Sequence, residues 1–86
     1  MPYILPQDRE RLDPTITELA KLISTDQRAG DLNYTITKLL LLNKGEGRYK
    51  DWNELVGALE SCKLELYRKH IAPYEDEKIK ENGDVE

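Results

Sequence analysis

The fold of this chain is decided by residues 49–71, which read YKDWNELVGALESCKLELYRKHI. The apolar positions of this stretch recur at alternating steps of three and four residues, a spacing that places them on one face of an α-helix. They are Trp52, Leu55, Leu59, Cys62 and Leu66, with Val56 and Ile71 beside them. At 1.5 Å per residue such a helix is about 35 Å long, more than a short neighbouring helix can cover. The sequence therefore predicts one long helix near residues 49–71.

Downstream, the long helix leads through Pro73 into an acidic C-terminal segment, residues 74–86. Proline lacks a backbone N–H and restricts the residue before it, so the helix is expected to end or kink there. One or two further helical turns are predicted over 74–81, and Asn82 followed by Gly83 is a typical helix stop. The segment holds six acidic residues and two lysines, so the whole formal net charge of −4 lies in it.

Upstream of the long helix, the sequence predicts shorter helices. A first helix over 6–12 would be followed by a second one that Asp13 caps and Pro14 opens, because proline is favoured at the first helical position. Another helix is predicted to begin near Asp31, whose carboxylate suits a helix N-terminus. Its leucine-rich part, residues 39–42, widens the apolar surface beyond a simple stripe.

Composition and length narrow the fold class. The 86 residues include one cysteine and one histidine, which excludes an intrachain disulfide and a zinc site of four cysteines or of paired cysteines and histidines. Apolar and polar residues do not alternate over any long stretch, so strands are not indicated. The predicted fold is all-α: a three- or four-helix antiparallel bundle that forms a single domain over residues 1–86. A chain this small buries a modest core, and oligomerisation is the open route to further burial.

Charge and hydropathy limit the partners. Residues 1–73 carry 11 basic and 11 acidic residues, and a neutral body with an acidic end is a poor match to a phosphate backbone. This balance argues against nucleic acid as a general partner. The longest apolar run, residues 39–42, is far shorter than the ~20 residues of a membrane span, and no leader pattern is visible at the start. With a single free cysteine, a cytoplasmic location is expected.

Three stretches of the sequence are similar to a known family. They are GDLNY at 30–34, KLELYR at 63–68, and PYEDEKI at 73–79 continuing to NGDV at 82–85. Together they resemble a family of small uncharacterised helical proteins from bacteria and phages, over most of the chain. The resemblance implies no reaction and no residue roles. It suggests that the C-terminal segment is more than a random solvated tail.

Two groups of polar residues are candidates for binding. Asn33 and Tyr34 could point into a polar pocket, with Tyr67 or Tyr74 opposite; capping by Asp31 and ring packing by Tyr34 is the simpler interpretation. Basic residues near the end of the long helix, Lys63, Arg68, Lys69 and His70, could bind an anion or pair with the acidic segment. More often such cations complement the helix dipole. The candidate ligand-binding residues are Asn33, Tyr34, Tyr67, Arg68 and Tyr74.

A metal site is the other candidate. Glu75, Asp76 and Asp84 supply the oxygen ligands that Mg²⁺ or Ca²⁺ prefers, although the spacing of an EF-hand is absent. Small all-α pyrophosphohydrolases hold Mg²⁺ with carboxylates on facing helices. Here Glu54 and Glu65 share a helix face but lie about 16 Å apart along the axis, too far for one ion. A solvated charged end is the simpler interpretation.

Function is not specified by any motif, and three hypotheses remain. The leading one is a non-enzymatic helical interaction or assembly module that forms a homodimer and requires no cofactor. Its basis is surplus apolar surface on residues 36–42 and on the long helix. A protein partner other than a second copy is also compatible with this surface. The alternatives are a metal-dependent nucleotide or phosphate-ester hydrolase that would use Mg²⁺, and a binder of a small ligand or peptide.

Overall fold

The computed structural model describes residues 3–86, and all its regular secondary structure is helical. The elements are α1 (Pro6–Leu22), α2 (Arg28–Leu42), α3 (Tyr49–Leu66), a π-helical turn (Tyr67–Ile71) and α4 (Ala72–Asn82). Residues 3–86 contain no strand, which confirms the predicted all-α class. The chain divides into two compact units, residues 3–55 and 56–86, with the boundary inside α3. Each unit is described by itself.

Helix α1 is continuous, so the predicted break at Asp13 is wrong. Pro14 lies inside the helix, and Pro6 occupies its first turn. A proline in a helix interior removes one hydrogen bond and crowds the carbonyl four residues earlier. Starting a second helix would require another unfavourable nucleation step, whereas extending the first helix adds one hydrogen bond for each residue. The apolar stripe, which continues through Leu12 and Ile16, gives the uninterrupted helix a single face.

Helix α2 begins at Arg28, three residues before the predicted start at Asp31. A bonded turn precedes it: the Ser24 hydroxyl accepts a hydrogen bond from the Gln27 N–H at 3.4 Å. The Asp31 carboxylate accepts one from the Ser24 N–H at 2.8 Å. Asp31 lies in the first turn of α2, and its carboxylate is the hydrogen-bond acceptor for the Ser24 N–H in the connection between α1 and α2. This bond holds the connection against the helix.

The connection from α2 to α3 is fixed by two glycines and two side chains. Gly45 and Gly47 have φ values of 61° and 75°, which side chains rarely tolerate. The Trp52 indole N–H donates to the Gly47 carbonyl at 2.8 Å. The Asp51 carboxylate accepts from the Arg48 N–H at 3.0 Å, which is one half of a capping box. The predicted break at the glycines and the start of the long helix at Tyr49 are confirmed.

The long helix neither ends at Ile71 nor stops at Pro73. Residues 67–71 form a π-helical turn in which the Ala72 N–H donates to the Tyr67 carbonyl, and α4 then continues to Asn82. A wider turn before Pro73 suits a residue that lacks an N–H and whose ring crowds the preceding turn. Helical structure therefore runs without a break from Tyr49 to Asn82. The predicted stop is confirmed, since Gly83 has a φ of 87°.

Neither unit contains a buried core. None of residues 3–86 is buried, and Leu19 of α1 and Ile23 directly after that helix are only half-buried. Helices α1 and α2, both of which the structure describes completely, do not pack along their lengths. They share only an apolar groove near their connection. The antiparallel bundle therefore stays a prediction.

Candidate functional site

Two of the predicted site residues, Tyr67 and Glu75, interact electrostatically. The pKa of the Tyr67 phenol is raised above its ordinary value, chiefly by hydrogen bonding to Glu75 and by the negative charge of that carboxylate, with smaller contributions from burial and from Asp76. A candidate ligand-binding residue and a candidate metal ligand therefore engage each other across the turn.

The basic residues of the turn pair within the same helix. Arg68 forms a salt bridge with Glu65, and the Lys69 ammonium lies 3.7 Å from the same carboxylate. The Glu65 side chain is only 18% exposed, so this cluster is better shielded than the other ion pairs of the described chain. Lys63 pairs with Glu60 at 3.1 Å. These pairs join neighbours on one helix, and pairing of the same cations with the acidic segment stays a prediction.

Tyr74 and the acidic ligands of the predicted metal site occupy α4 and its end. Tyr74 is 62% exposed, and the Lys78 ammonium lies 5.5 Å from its ring centroid. Glu75 and Asp76 lie in the first turns of α4. Asp84, beyond the helix end, accepts a hydrogen bond from the Val85 N–H at 2.7 Å.

A shallow groove connects part of this acidic set. It is lined by Glu75, Lys78, Ile79, Asn82, Gly83, Asp84 and Val85. No group of three or more acidic, cysteine or histidine side chains within residues 3–86 is placed to hold a metal ion. The metal site therefore stays a prediction that rests on the sequence.

Asn33 and Tyr34 lie on α2, in the unit of residues 3–55. The Thr37 hydroxyl donates a weak hydrogen bond to the Asn33 carboxamide oxygen at 3.5 Å. Tyr34 is 68% exposed on the same open helix face, which Ala29 and Gly30 complete. The other candidate ligand-binding residues, Tyr67, Arg68 and Tyr74, belong to the unit of residues 56–86. A shared ligand site stays a prediction.

Sequence reasoning missed the pair between Tyr67 and Glu75. In a regular helix, residues three or four positions apart are neighbours, and a separation of eight gives no such signal. A π-helical turn over Tyr67–Ile71 lies between the two residues, and the rules for a regular helix do not predict it. The Glu65 cluster was accessible from the sequence, because Arg68 and Lys69 follow Glu65 at the favourable spacings of three and four.

We expect the phenol of Tyr67 to ionise at a higher pH than an ordinary tyrosine. Its pKa is raised in the folded chain, so it stabilises the fold fully below the unfolded-state pKa, and this contribution disappears as the pH rises through the folded-state value. The substitution Glu75→Gln removes the charge and should lower the pKa of Tyr67 toward the ordinary value. An alkaline titration followed by tyrosinate absorbance, or by NMR, measures this change.

Glu77→Gln is a suitable control for this titration. Glu77 pairs with Lys80 at 3.5 Å and does not contribute to the raised pKa of Tyr67. This variant should leave the titration of Tyr67 unchanged. Equal pKa values for Tyr67 in the wild type and in Glu75→Gln would contradict the assigned hydrogen bond.

A distinct apolar site lies at the connection between α1 and α2. The groove there is lined by Ile16, Leu19, Ala20, Ile23, Arg28, Leu32 and Thr35. Each helix adds exposed apolar positions that continue away from the groove: Leu12 is 42% exposed on α1, and Ile36 and Leu39 are 39% and 49% exposed on α2. These positions form what we term the α1–α2 face: Leu12, Ile16, Leu19, Ile23, Leu32, Ile36 and Leu39. Within residues 3–86, no helix has the length and apolar character that a membrane span requires.

Comparison with known proteins defines the class of this chain. A family model described as DUF6899, a domain of unknown function, matches residues 1–85. The chain belongs to this family, which confirms the resemblance at the level of a family without an assigned function. The comparisons find no match among curated proteins or among solved structures.

Proposed function

We propose that this chain is a non-enzymatic helical interaction module that works as a homodimer. The observation that carries the proposal is the absence of any buried residue over 3–86, in a chain whose helices have amphipathic faces. Apolar surface removed from water supplies most of the free energy that keeps a domain folded. Because no side chain of residues 3–86 is fully buried, the chain needs another surface to cover its apolar side chains.

The exposed area is of the size that a stable dimer requires. The accessible surface is 7856 Å². A monomeric protein of this mass has an accessible surface of about 5,200 Å². The excess is therefore about 2,600 Å² for each chain, or about 5,000 Å² for a pair, and obligate dimers bury 2,000 to 5,000 Å² or more. A second copy would supply the missing burial.

In this proposal the predicted antiparallel bundle forms between two chains. Helices that pack in bundles bury apolar stripes of the a/d type against one another. The single chain has such stripes on α1, α2 and α3, each at least partly exposed. Assembly would thus complete a core that one chain lacks.

The free cysteine, Cys62, fits a reducing cytoplasmic setting, because disulfides do not persist there.

Sedimentation equilibrium of the full chain tests the proposal. A homodimer has twice the chain mass of 10.0 kDa, and we expect that species to dominate at tens of micromolar. Circular dichroism on the same samples should show predominantly helical chains. A chain that sediments with the mass of a single copy at about 100 μM, with its helical signal intact, would refute the homodimer.

The alternative functions remain predictions from the sequence. A metal-dependent hydrolase would use Mg²⁺ with carboxylates of the long helix and with Glu75, Asp76 and Asp84. A binder of a small ligand or peptide would use Asn33, Tyr34, Tyr67 and Tyr74. None of the contacts described above favours either function over the interaction module.

A further inference from the structure

We infer that the homodimer forms through the α1–α2 face, with the same face of a second copy as its occupant. This inference rests on the proposed function and names its surface. Two α1–α2 faces that join in this way make a four-helix bundle with two helices from each chain. The interface would be isologous, as in most symmetric dimers.

The pattern of apolar residues on both helices supports this surface. On α1, Leu12, Ile16 and Leu19 are separated by steps of four and three residues, and Ile23, which caps the C-terminus of the helix, follows four residues later. On α2, Leu32, Ile36 and Leu39 follow with steps of four and three. This is the spacing of a and d positions, which insert into the holes of a facing helix. Both helices therefore carry a seam suited to another helix.

The arrangement of α1 and α2 leaves these seams open. Helices α1 and α2, each fully described, share the groove near their connection but do not pack along their lengths. The bond from the Ser24 N–H to Asp31, at 2.8 Å, fastens their connection. Ile16 is 56% exposed and Ile36 is 39% exposed, so each seam still has surface to bury. The groove wall is almost entirely apolar, and Arg28 and Thr35 are its two residues with polar side-chain groups.

Charge favours this unit of the chain over the other as the self-association surface. Residues 3–55 hold nine acidic and eight basic residues, a net charge of −1. Residues 56–86 hold eight acidic and five basic residues, a net charge of −3. Two copies of a surface with like net charge repel each other, and the repulsion grows with that charge. A second copy is therefore better accommodated on the nearly neutral unit.

Paired substitutions test the inference by sedimentation equilibrium. Ile36→Glu on α2 is matched by Ile79→Glu on α4, because these isoleucines are 39% and 40% exposed. Ile16→Glu on α1 is likewise matched by Leu64→Glu on α3, at 56% and 55% exposure. Because each dimer would bury two unpaired carboxylates, Ile36→Glu and Ile16→Glu should raise the dimer Kd by on the order of 100-fold or more. The Ile79 and Leu64 variants should change it less than about threefold, as solvated surface charges do.

A milder pair keeps the test valid if a glutamate variant fails to fold. Ile36→Ala and Ile79→Ala both improve intrinsic helix propensity, so the helices are not at risk. Removing buried side chains from both copies should weaken the dimer about tenfold or more in Ile36→Ala, and little in Ile79→Ala. A dimer that persists unchanged in Ile16→Glu, Ile36→Glu and Ile36→Ala would overturn this surface while leaving the homodimer in place. Loss of the dimer only in the variants of residues 56–86 would overturn it too. A monomeric wild type would instead refute the proposed function.

Discussion

Diluting the chain from about 100 μM to about 1 μM should lower its melting temperature by roughly 5 to 10 °C. If folding is coupled to dimerisation, a hundredfold change in concentration alters the stability of the folded dimer by about 2.7 kcal/mol. A folding unit of two such chains shifts by about 2 to 4 °C for each kcal/mol. The reason for the coupling is that no side chain of residues 3–86 is buried within one chain. Thermal denaturation followed by circular dichroism in cells of different path length measures the shift.

The Ile16→Glu variant provides the control for this measurement. It should melt at a lower temperature than the wild type at every concentration, because a weaker dimer stabilises the folded chains less. The Leu64→Glu variant should behave like the wild type, because Leu64 lies outside the α1–α2 face. A wild-type melting temperature that stays constant over the dilution would show that each chain folds alone.

Replacing Pro14 by alanine should stabilise the protein by about 2 kcal/mol for each chain. A proline in a helix interior costs about 3 kcal/mol relative to alanine. Part of the gain is offset, since alanine gives the unfolded chain more freedom, an effect of up to about 1 kcal/mol. Because α1 continues through Pro14, this cost is present in the native state. Chemical denaturation with urea measures the change, and the helical signal should rise slightly.

Pro6→Ala is the matched control for the interior proline. Pro6 occupies the first turn of the same helix, where the missing N–H has no intrahelical acceptor. This variant should therefore leave the free energy of unfolding within about 0.5 kcal/mol of the wild type. If Pro14→Ala were no more stable than Pro6→Ala, residues 6–22 would not form a continuous helix in solution.

The start of the long helix was predicted from the sequence, but its unbroken continuation through Pro73 was not. The alternating steps of three and four identified its apolar stripe, and the glycines at 45 and 47 fixed its start at Tyr49. Pro73 was expected to end or kink it. The helix does not end there, because a π-helical turn precedes Pro73 and helical structure runs on to Asn82. The expected effect of proline is known for a regular α-helix, in which each N–H bonds to the carbonyl four residues earlier. It does not predict a turn in which an N–H bonds to the carbonyl five residues earlier.

The sequence identified the candidate site residues, but it did not predict the interaction between Tyr67 and Glu75. Tyr67, Arg68 and Glu75 were named from composition and position alone. Arg68 pairs with Glu65, three residues earlier, because helix neighbours meet at that spacing. Glu75 raises the pKa of Tyr67 from eight positions along the chain, a spacing at which residues of a regular helix are not expected to be neighbours.

The sequence by itself determined the helical class, the breaks at the glycines and the apolar face of every helix. These features are local, because they follow from the propensity of each residue and from the 3.6-residue period. The tertiary structure decided that α1 continues through Pro14, that α2 starts at Arg28, and that α1 and α2 leave their seams open. Such features depend on the cost of helix nucleation, on hydrogen bonds in the connections and on how much surface the helices bury against one another. In residues 3–86 no side chain is buried, so the apolar faces of the helices stay exposed.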